Sequence, residues 1–213
     1  MLIIALVLAQ LLNNPNIKGK GIYRTMIFLP CATSLVSYSM IFKSLFAQDG
    51  LVNHVISAIG LPTVDWFQNA WAARFVIIIA LIWRWTGYNM GFYLSGLQNI
   101  SKSYYEAASL DGASKIQQFF YITLPMVSPT LFVVLIMRLM SSIKVYDLIY
   151  MMIEESNPAI TSAQSLMYLF YRESFISGNR GLGSSVVIWT VALIGLVTAV
   201  QFWGQKKWVN YEV

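Results

Sequence analysis

The chain has 213 residues, of which 57% are hydrophobic and only 11% are charged, and its formal net charge is +5. A soluble domain carries about 25% charged residues, so this composition is typical of a protein whose solvent is lipid. The basic residues are scattered without interleaved aromatic residues, which argues against a nucleic-acid-binding protein. Cys31 is the only cysteine and His54 the only histidine, so neither an internal disulfide nor a metal site is predicted.

The segment from Met1 to Leu12 is apolar but shorter than the roughly 20 residues that a membrane helix needs. It also lacks the basic start of a signal peptide. We therefore expect either part of a membrane helix whose beginning is missing, or a short helix packed against the others.

Four further stretches are long and apolar enough to cross a bilayer. They are residues 25–46, 72–97, 126–153 and 183–204. The predicted fold is therefore all-α, a polytopic membrane helix bundle with four full spans and one partial span. Because no repeat or flexible linker interrupts the chain, residues 1–213 are expected to form a single transmembrane domain.

The loops between these spans alternate in charge. The loop 13–24 carries only basic charges, whereas 47–71 carries Asp49 and Asp65 without lysine or arginine. Lysine and arginine favour the cytoplasmic side of a membrane. We therefore expect the loops 13–24 and 98–125 and the C-terminus to be cytoplasmic, and the loops 47–71 and 154–182 to be external.

The cytoplasmic loop 98–125 carries several helix-boundary signals. Ser103 and Glu106 have the spacing of a capping box, and Gly112 is well placed as the left-handed residue that ends a helix. A second box begins at Ser114, and Pro125 suits the first turn of the following span. These signals predict two short helices at a sharp angle on the membrane surface. An ordinary pair of interfacial helices would show the same signals.

The complete spacing in this loop is more specific than its capping signals. Glu106-Ala107-Ala108, Gly112, Ile122 and Leu124-Pro125 together resemble the EAA motif of ABC-importer permeases. The resemblance extends over most of the chain. The segments 24–30, 96–98 and 147–150 are similar to the sugar-permease branch, which includes the maltose and glycerol-3-phosphate systems and has the type I importer fold.

This resemblance implies a function and a set of partners. The two short helices would be coupling helices seated in a cytoplasmic ATPase, with Glu106 facing it. The partners would be two ATPase subunits that bind ATP, a second permease subunit and an extracytoplasmic solute-binding protein. The chain would carry a sugar or related polyol across a bacterial cytoplasmic membrane, without a cofactor of its own. The glycine-rich stretch 178–183 lacks the ending of an ATP-binding loop, so a flexible loop is expected there.

Polar residues within the spans are candidates for the translocation path, because ionisable groups in a bilayer usually face protein or water. The predicted set is Arg84, Tyr88, Asn89, Ser142, Lys144, Tyr146 and Asp147. The resemblance makes Tyr88 the match of a solute-lining tyrosine. Packing of the neighbouring tryptophans and mutual neutralisation of Lys144 and Asp147 are alternatives of comparable weight.

Three further interpretations stay open at this point. The run from 163 to 176 would cover the helices or meet an external binding protein. The chain as a whole could be a non-transporting membrane scaffold. A membrane-embedded enzyme is the third alternative, although nucleophile–base or metal constellations are poorly represented in the sequence.

Overall fold

A computed structural model describes residues 1–157 and 159–211. Every regular element in this described part is a helix. The first six α-helices are α1 (Leu2–Asn13), α2 (Lys20–Ala32), α3 (Leu35–Leu45), α4 (Leu51–Ala58), α5 (Ala70–Gln98) and α6 (Lys102–Leu110). The others are α7 (Lys115–Gln118), α8 (Leu124–Ile143), α9 (Asp147–Met152), α10 (Ala159–Ala163), α11 (Leu166–Tyr171) and α12 (Arg180–Gln205). Two π-helical turns, Phe119–Thr123 and Arg172–Ile176, follow α7 and α11.

Three helical runs among the described residues are long and apolar enough to cross a membrane. Two of them, α5 and α12, agree with the spans predicted at 72–97 and 183–204. The third extends from Lys115 to Ile143 and includes α7, a π-helical turn and α8.

The predicted span 25–46 is not one helix. Helix α2 ends at Ala32, and α3 begins at Leu35 after the extended residue Ser34. Pro30 lies inside α2, two residues before its end, and weakens its last turns because proline has no N–H for the helical hydrogen-bond ladder. The two helices would provide a fourth span only if the broken pair crosses the membrane together.

The predicted span 126–153 is also interrupted. Helix α8 ends at Ile143, and α9 begins only at Asp147. The break frees the carbonyl of Val145, which accepts a hydrogen bond from the Ser165 hydroxyl. Asp147 then lies in the first turn of α9, where the helix dipole favours a negative charge.

The glycine-rich stretch before the last span is only partly a loop. Gly178 has the left-handed φ of 70°, but α12 begins at Arg180 and takes in Gly181 and Gly183. The side chain of Asn179 accepts a hydrogen bond from the backbone N–H of Leu182 at 3.1 Å. This capping bond starts the helix earlier than the glycines suggested.

The described residues pack as two compact units, each built from separate stretches of sequence. We call them unit 1 and unit 2. Unit 1 takes in residues 1–31, 85–139 and the chain from Leu196 onward, and unit 2 takes in residues 32–84 and 140–195. The expected single domain remains a prediction.

The core of unit 1 is formed by α1, α8 and the second half of α5. Ala5 and Ala9 of α1 are fully buried in it, together with Leu12. Such small residues let helices in a membrane approach closely. Helix α1 therefore packs against α5 and α8 within unit 1.

The core of unit 2 combines α3, α9 and the first half of α5. Buried aromatic residues of α3, such as Tyr38 and Phe42, pack against Ala73, Val76 and Ala80 of α5. The run 163–176 joins this core through the buried side chain of Tyr168. The segment 163–176 therefore covers part of the helical core of unit 2.

Candidate functional site

The first helix of the predicted cytoplasmic loop begins two residues earlier than its sequence signals indicated. Ser101, not Ser103, is the N-cap of α6, and its hydroxyl accepts a hydrogen bond from the Ser103 N–H at 3.3 Å. The predicted capping box of Ser103 and Glu106 is therefore wrong. Ser103 lies in the first turn with its hydroxyl oxygen 2.8 Å from that of Ser101, and Glu106 is exposed further along the helix.

The end of α6 agrees with the prediction. Gly112 has a φ of 78°, the left-handed conformation that side chains disfavour. Its N–H donates to the Ser109 carbonyl at 3.2 Å, and the Ala113 N–H donates to the Ala108 carbonyl at 2.9 Å. This pair of bonds is a Schellman motif, which satisfies the last carbonyls of the helix and turns the chain.

The second helix of the loop begins with the predicted capping box. The Ser114 hydroxyl accepts from the Gln117 N–H at 3.4 Å, and the Gln117 side chain accepts from the Ser114 N–H at 2.8 Å. This helix is not a separate short element, however. Through the π-helical turn it continues into α8, in which Pro125 is the second residue. Pro125 therefore lies inside a continuous helical run, directly after the π-helical turn, and not in the first turn of a new helix as the sequence predicted.

Two side-chain contacts fix α6 to the helical run that begins with α7. The Gln118 amide is buried and donates to the Ser109 hydroxyl at 3.0 Å and to the Ala113 carbonyl at 3.1 Å. The hydroxyls of Tyr105 and Thr123 lie 2.9 Å apart. These contacts of Gln118, Tyr105 and Thr123 are not predictable from the sequence, because a polar residue in a short surface helix gives no signal of burial.

The helices α6 and α7 are mostly exposed, and their exposed residues are both polar and apolar. Leu110 of α6 and Ile116 of α7 are 91% and 71% exposed, Tyr121 of the π-helical turn is 80% exposed, and Glu106 and Ala107 are exposed as well. Large exposed apolar side chains on a polar segment are candidates for contact with another protein. Leu124 and Pro125 are half-buried at the start of α8.

Two cavities open on the segment of unit 1 that contains α6 and α7. One, of ≈ 360 Å³, is lined by Ala108, Gly112 and Ile122 among others. The other, of ≈ 790 Å³, is lined by Glu106 and Leu110 together with residues near the end of α1. Four members of the predicted coupling set thus line cavities, although they are up to 16 residues apart in sequence (Glu106 to Ile122).

The predicted path residues are divided between the two units. Tyr88 and Asn89 belong to unit 1, whereas Arg84 and the four residues between 142 and 147 belong to unit 2. In unit 2 the guanidinium carbon of Arg84 lies 4.6 Å from the ring centroid of Tyr38.

The other predicted path residues of unit 2 follow the end of α8. Ser142, Lys144 and Asp147 are exposed, and the ring of Tyr146 lies 4.9 Å from that of Tyr171. Lys144 and Asp147 form no ion pair within the described part of the chain, so the alternative of their mutual neutralisation is not observed. The break at 144–146 removes the common helix face that this pair needed.

A residue that sequence reasoning did not place in the path lies beside Tyr88. The guanidinium carbon of Arg138 is 4.4 Å from the ring centroid of Trp85 and 5.3 Å from that of Tyr88. Arg138 is only 7% exposed, and Asn89 is fully buried. In the sequence, the one feature that marks Arg138 is a positive charge inside a predicted span.

Membrane-length helices joined by a surface segment with the spacing of the EAA motif define a transporter membrane subunit. The chain belongs to the family of binding-protein-dependent transport system inner membrane components, whose model matches residues 1–207. It is thus a multi-pass inner-membrane component of a transport system that works with a binding protein. This membership, rather than any absence in the structure, decides against the membrane-embedded enzyme.

Curated relatives are permeases of sugar transport systems. The lactose transport system permease protein LacF of Rhizobium radiobacter is 38% identical over 97% of this chain and 70% of its own length. The arabinooligosaccharide permease AraP of Halalkalibacterium halodurans is 31% identical over 94% of this chain and 64% of its own length. The sn-glycerol-3-phosphate permease UgpA of Yersinia pestis is 32% identical over 99% of this chain and 71% of its own length. The chain therefore spans about two thirds of the length of these relatives.

Two solved structures share the fold. One is a bacterial ABC transporter that imports the acidic polysaccharide alginate, with a TM-score of 0.87 and 24% identity over 96% of this chain and 72% of that chain. The other is the alginate transporter in complex with its alginate-pentasaccharide-bound periplasmic protein, with a TM-score of 0.89 and 23% identity over 100% of this chain and 74% of that chain. The predicted all-α ABC-importer permease fold is confirmed.

Proposed function

We propose that the chain is the membrane subunit of an ATP-driven importer of a sugar or related polyol, with α6 and α7 seated in a cytoplasmic ATPase. The observation that carries this proposal is the complete spacing from Glu106 to Pro125 on the exposed helices α6 and α7. Apolar side chains among their exposed residues, such as Leu110 and Ile116, would contact the ATPase.

The geometry suggests how force would pass into the membrane. Gln118 holds α6 against α7, so the two helices would respond as one body to movement of an ATPase. Helix α7 is continuous with α8, so a displacement of α7 would be carried into a membrane-length helix. Glu106 would meet the ATPase, and Gly112 would maintain the angle between the two helices.

The proposed assembly contains partners that this chain does not provide. A second permease subunit would complete the path, two ATPase subunits would bind and hydrolyse ATP, and the binding protein would deliver solute from outside. In this arrangement the segments 13–24 and 98–125 and the C-terminus lie in the cytoplasm. The charge alternation of the loops supports this orientation.

The solute class is proposed from the relatives and from the side chains of the path. The named transporters carry lactose, arabinooligosaccharides or sn-glycerol 3-phosphate, all of which are rich in hydroxyl groups. Aromatic rings and amides bind such solutes by stacking and by hydrogen bonds. Tyr88, Asn89, Ser142 and Tyr146 are the proposed contacts.

Coupling is tested in proteoliposomes that contain the complete transporter. Glu106→Lys and Gly112→Asp should lower solute uptake at least tenfold while the ATPase subunits keep hydrolysing ATP. Gly60→Asp is the matched control, because Gly60 has a φ of 79° and equally open surroundings but lies in the predicted external loop. Normal uptake in both coupling variants would reject the proposed surface.

The solute class is tested by an uptake screen over sugars and polyols. Alanine at each of the four proposed contacts should raise the uptake KM or abolish uptake. Four silent variants would remove these residues from the path. Failure of the complete transporter to move any member of the panel would favour the non-transporting scaffold.

A further inference from the structure

Within unit 1, one positive charge is buried without a described counter-charge. Arg138 of α8 is 7% exposed, and neither its Nε nor its Nη1 has a hydrogen-bond partner among the described residues. The two ion pairs in the described part of the chain, Lys43–Glu154 and Arg172–Glu173, do not involve it. Moving an unpaired charge out of water costs free energy, so the burial of Arg138 requires an interaction that compensates for it.

Aromatic rings account for part of the environment of this guanidinium. It lies over the faces of Trp85 and Tyr88, whose centroids are 5.7 Å apart. Cation–π contacts attract the charge, but they use the face of the guanidinium and leave the in-plane donors of Nε and Nη1 unoccupied. Five N–H groups in a planar fork match the oxygens of a carboxylate or a phosphate.

An amide belongs to the same region of α5. Asn89 is fully buried, and neither its oxygen nor its nitrogen has a hydrogen-bond partner within residues 1–157 and 159–211. It lies four residues after Trp85, so the two share a helix face. An amide offers two donors and an acceptor, which suit hydroxyl groups next to an anionic group.

From these three observations we infer that Arg138, Trp85, Tyr88 and Asn89 form a subsite for an oxyanion, a carboxylate or a phosphate, carried by the transported solute. The inference rests on the proposed function, and it narrows the solute from a sugar or polyol to an acidic or phosphorylated one. Arg138 would bind the oxyanion, the two rings would hold the guanidinium, and Asn89 would bind neighbouring hydroxyls.

The test uses the complete transporter in proteoliposomes and matched solute pairs. Galacturonate against galactose reports on a carboxylate, and glycerol 3-phosphate against glycerol reports on a phosphate. The anionic member of at least one pair should be taken up with a half-saturating concentration at least tenfold lower than that of its neutral partner. Arg138→Met should remove that preference, and Arg138→Lys should retain part of it. Arg74→Met is the control, because Arg74 also lies over a tryptophan ring but donates to the Ser162 carbonyl.

A second measurement does not depend on transport. The anionic member of a pair should raise the unfolding temperature of the wild-type complex in detergent, and the neutral member should not. The Arg138→Met complex should show no such rise. Preference for neutral solutes, with or without Arg138, would overturn the subsite while leaving the sugar importer intact. Wild-type complex protected by neither anion would overturn it too. A third outcome would also overturn the subsite. If the wild type shows no anion preference and the Arg138→Met complex loses its second permease subunit, Arg138 is an intersubunit contact instead.

Discussion

The side chain of Asn53 exchanges two hydrogen bonds with the backbone of Val64. Its amide nitrogen donates to the Val64 carbonyl at 2.9 Å, and its oxygen accepts from the Val64 N–H at 3.1 Å. The same side chain donates to the Gln48 carbonyl and accepts from the indole of Trp66, each at 3.0 Å. One buried amide thus ties together a segment that reads from sequence as an ordinary polar loop.

Replacement of this amide should loosen the whole segment between α3 and α5. Asn53→Ala removes every bond at once and leaves buried backbone groups unpaired, at a cost of about 1–3 kcal/mol. An SDS titration of the folded chain in mixed micelles measures the loss. Gln68→Ala, at an exposed position of the same segment, should have no effect. Equal stability of the two variants would contradict this account of Asn53.

Gly87 allows α2 and α5 to cross closely within unit 1. A methyl group at this position would overlap the carbonyl oxygen of Ile27 and lie 2.7 Å from its carbonyl carbon. We expect Gly87→Ala to destabilise the chain by about 1–3 kcal/mol, since backbone atoms have to move. Gly91→Ala lies one turn further along α5 with nothing within 4 Å, so it should be neutral or slightly stabilising. Thermal unfolding of the two variants in detergent compares them directly, and a similar loss in both would rule out the close crossing.

Gln118 should matter for coupling more than for folding. Gln118→Met keeps the length of the side chain but removes its donors to Ser109 and Ala113, so α6 would no longer move with α7. We expect uptake in proteoliposomes to fall several-fold while ATP hydrolysis continues and the complex stays assembled. Gln68→Met, at an exposed position in unit 2, is the control. Parallel loss of uptake and hydrolysis would point to a simple folding defect instead.

The ion pair of Lys43 and Glu154 gives unit 2 a dependence on pH. Lys43 Nζ lies 2.9 Å from a carboxylate oxygen of Glu154, and this hydrogen bond, with the charge beside it, lowers the pKa of Glu154 below its ordinary value of 4.5. The folded chain therefore binds this proton less readily than the unfolded chain. The contribution of the pair is fully present above about pH 4.5 and is lost as the pH falls through the lowered pKa.

This dependence can be measured with a charge-neutral variant. Glu154→Gln should be less stable than the wild type at neutral pH and low salt, and the difference should shrink on acidification and with added salt. The neighbouring Glu155→Gln has no ion pair to lose among the described residues, so it should follow the wild type. A wild-type advantage that persists after Glu154 is protonated would contradict this account of the pair.

Local signals in the sequence identified much of the candidate coupling segment. The box at Ser114 and the left-handed turn at Gly112 depend on residues within one helical turn of each other, so they can be recognised without tertiary information. The start of α6 was placed wrongly because two serines two residues apart offer equivalent caps. Nothing local reveals which hydroxyl will meet the first free N–H, nor that Gln118 is turned inward.

The sequence by itself determined that this chain lies in a membrane, that the segments 72–97 and 183–204 are membrane-length helices, and which segment carries the motif of its family. These properties depend on composition, on runs of about 20 apolar residues and on fixed spacings. The tertiary structure decided where helices break and which polar groups are buried. A break between Ala32 and Leu35 divides a helix that hydropathy alone would continue. Arg138 lies over Trp85, 53 residues earlier in the chain, because α5 and α8 pack in the same unit. Hydrophobicity depends on each residue separately, whereas burial of a charge depends on its neighbours in space, and only the folded chain supplies those.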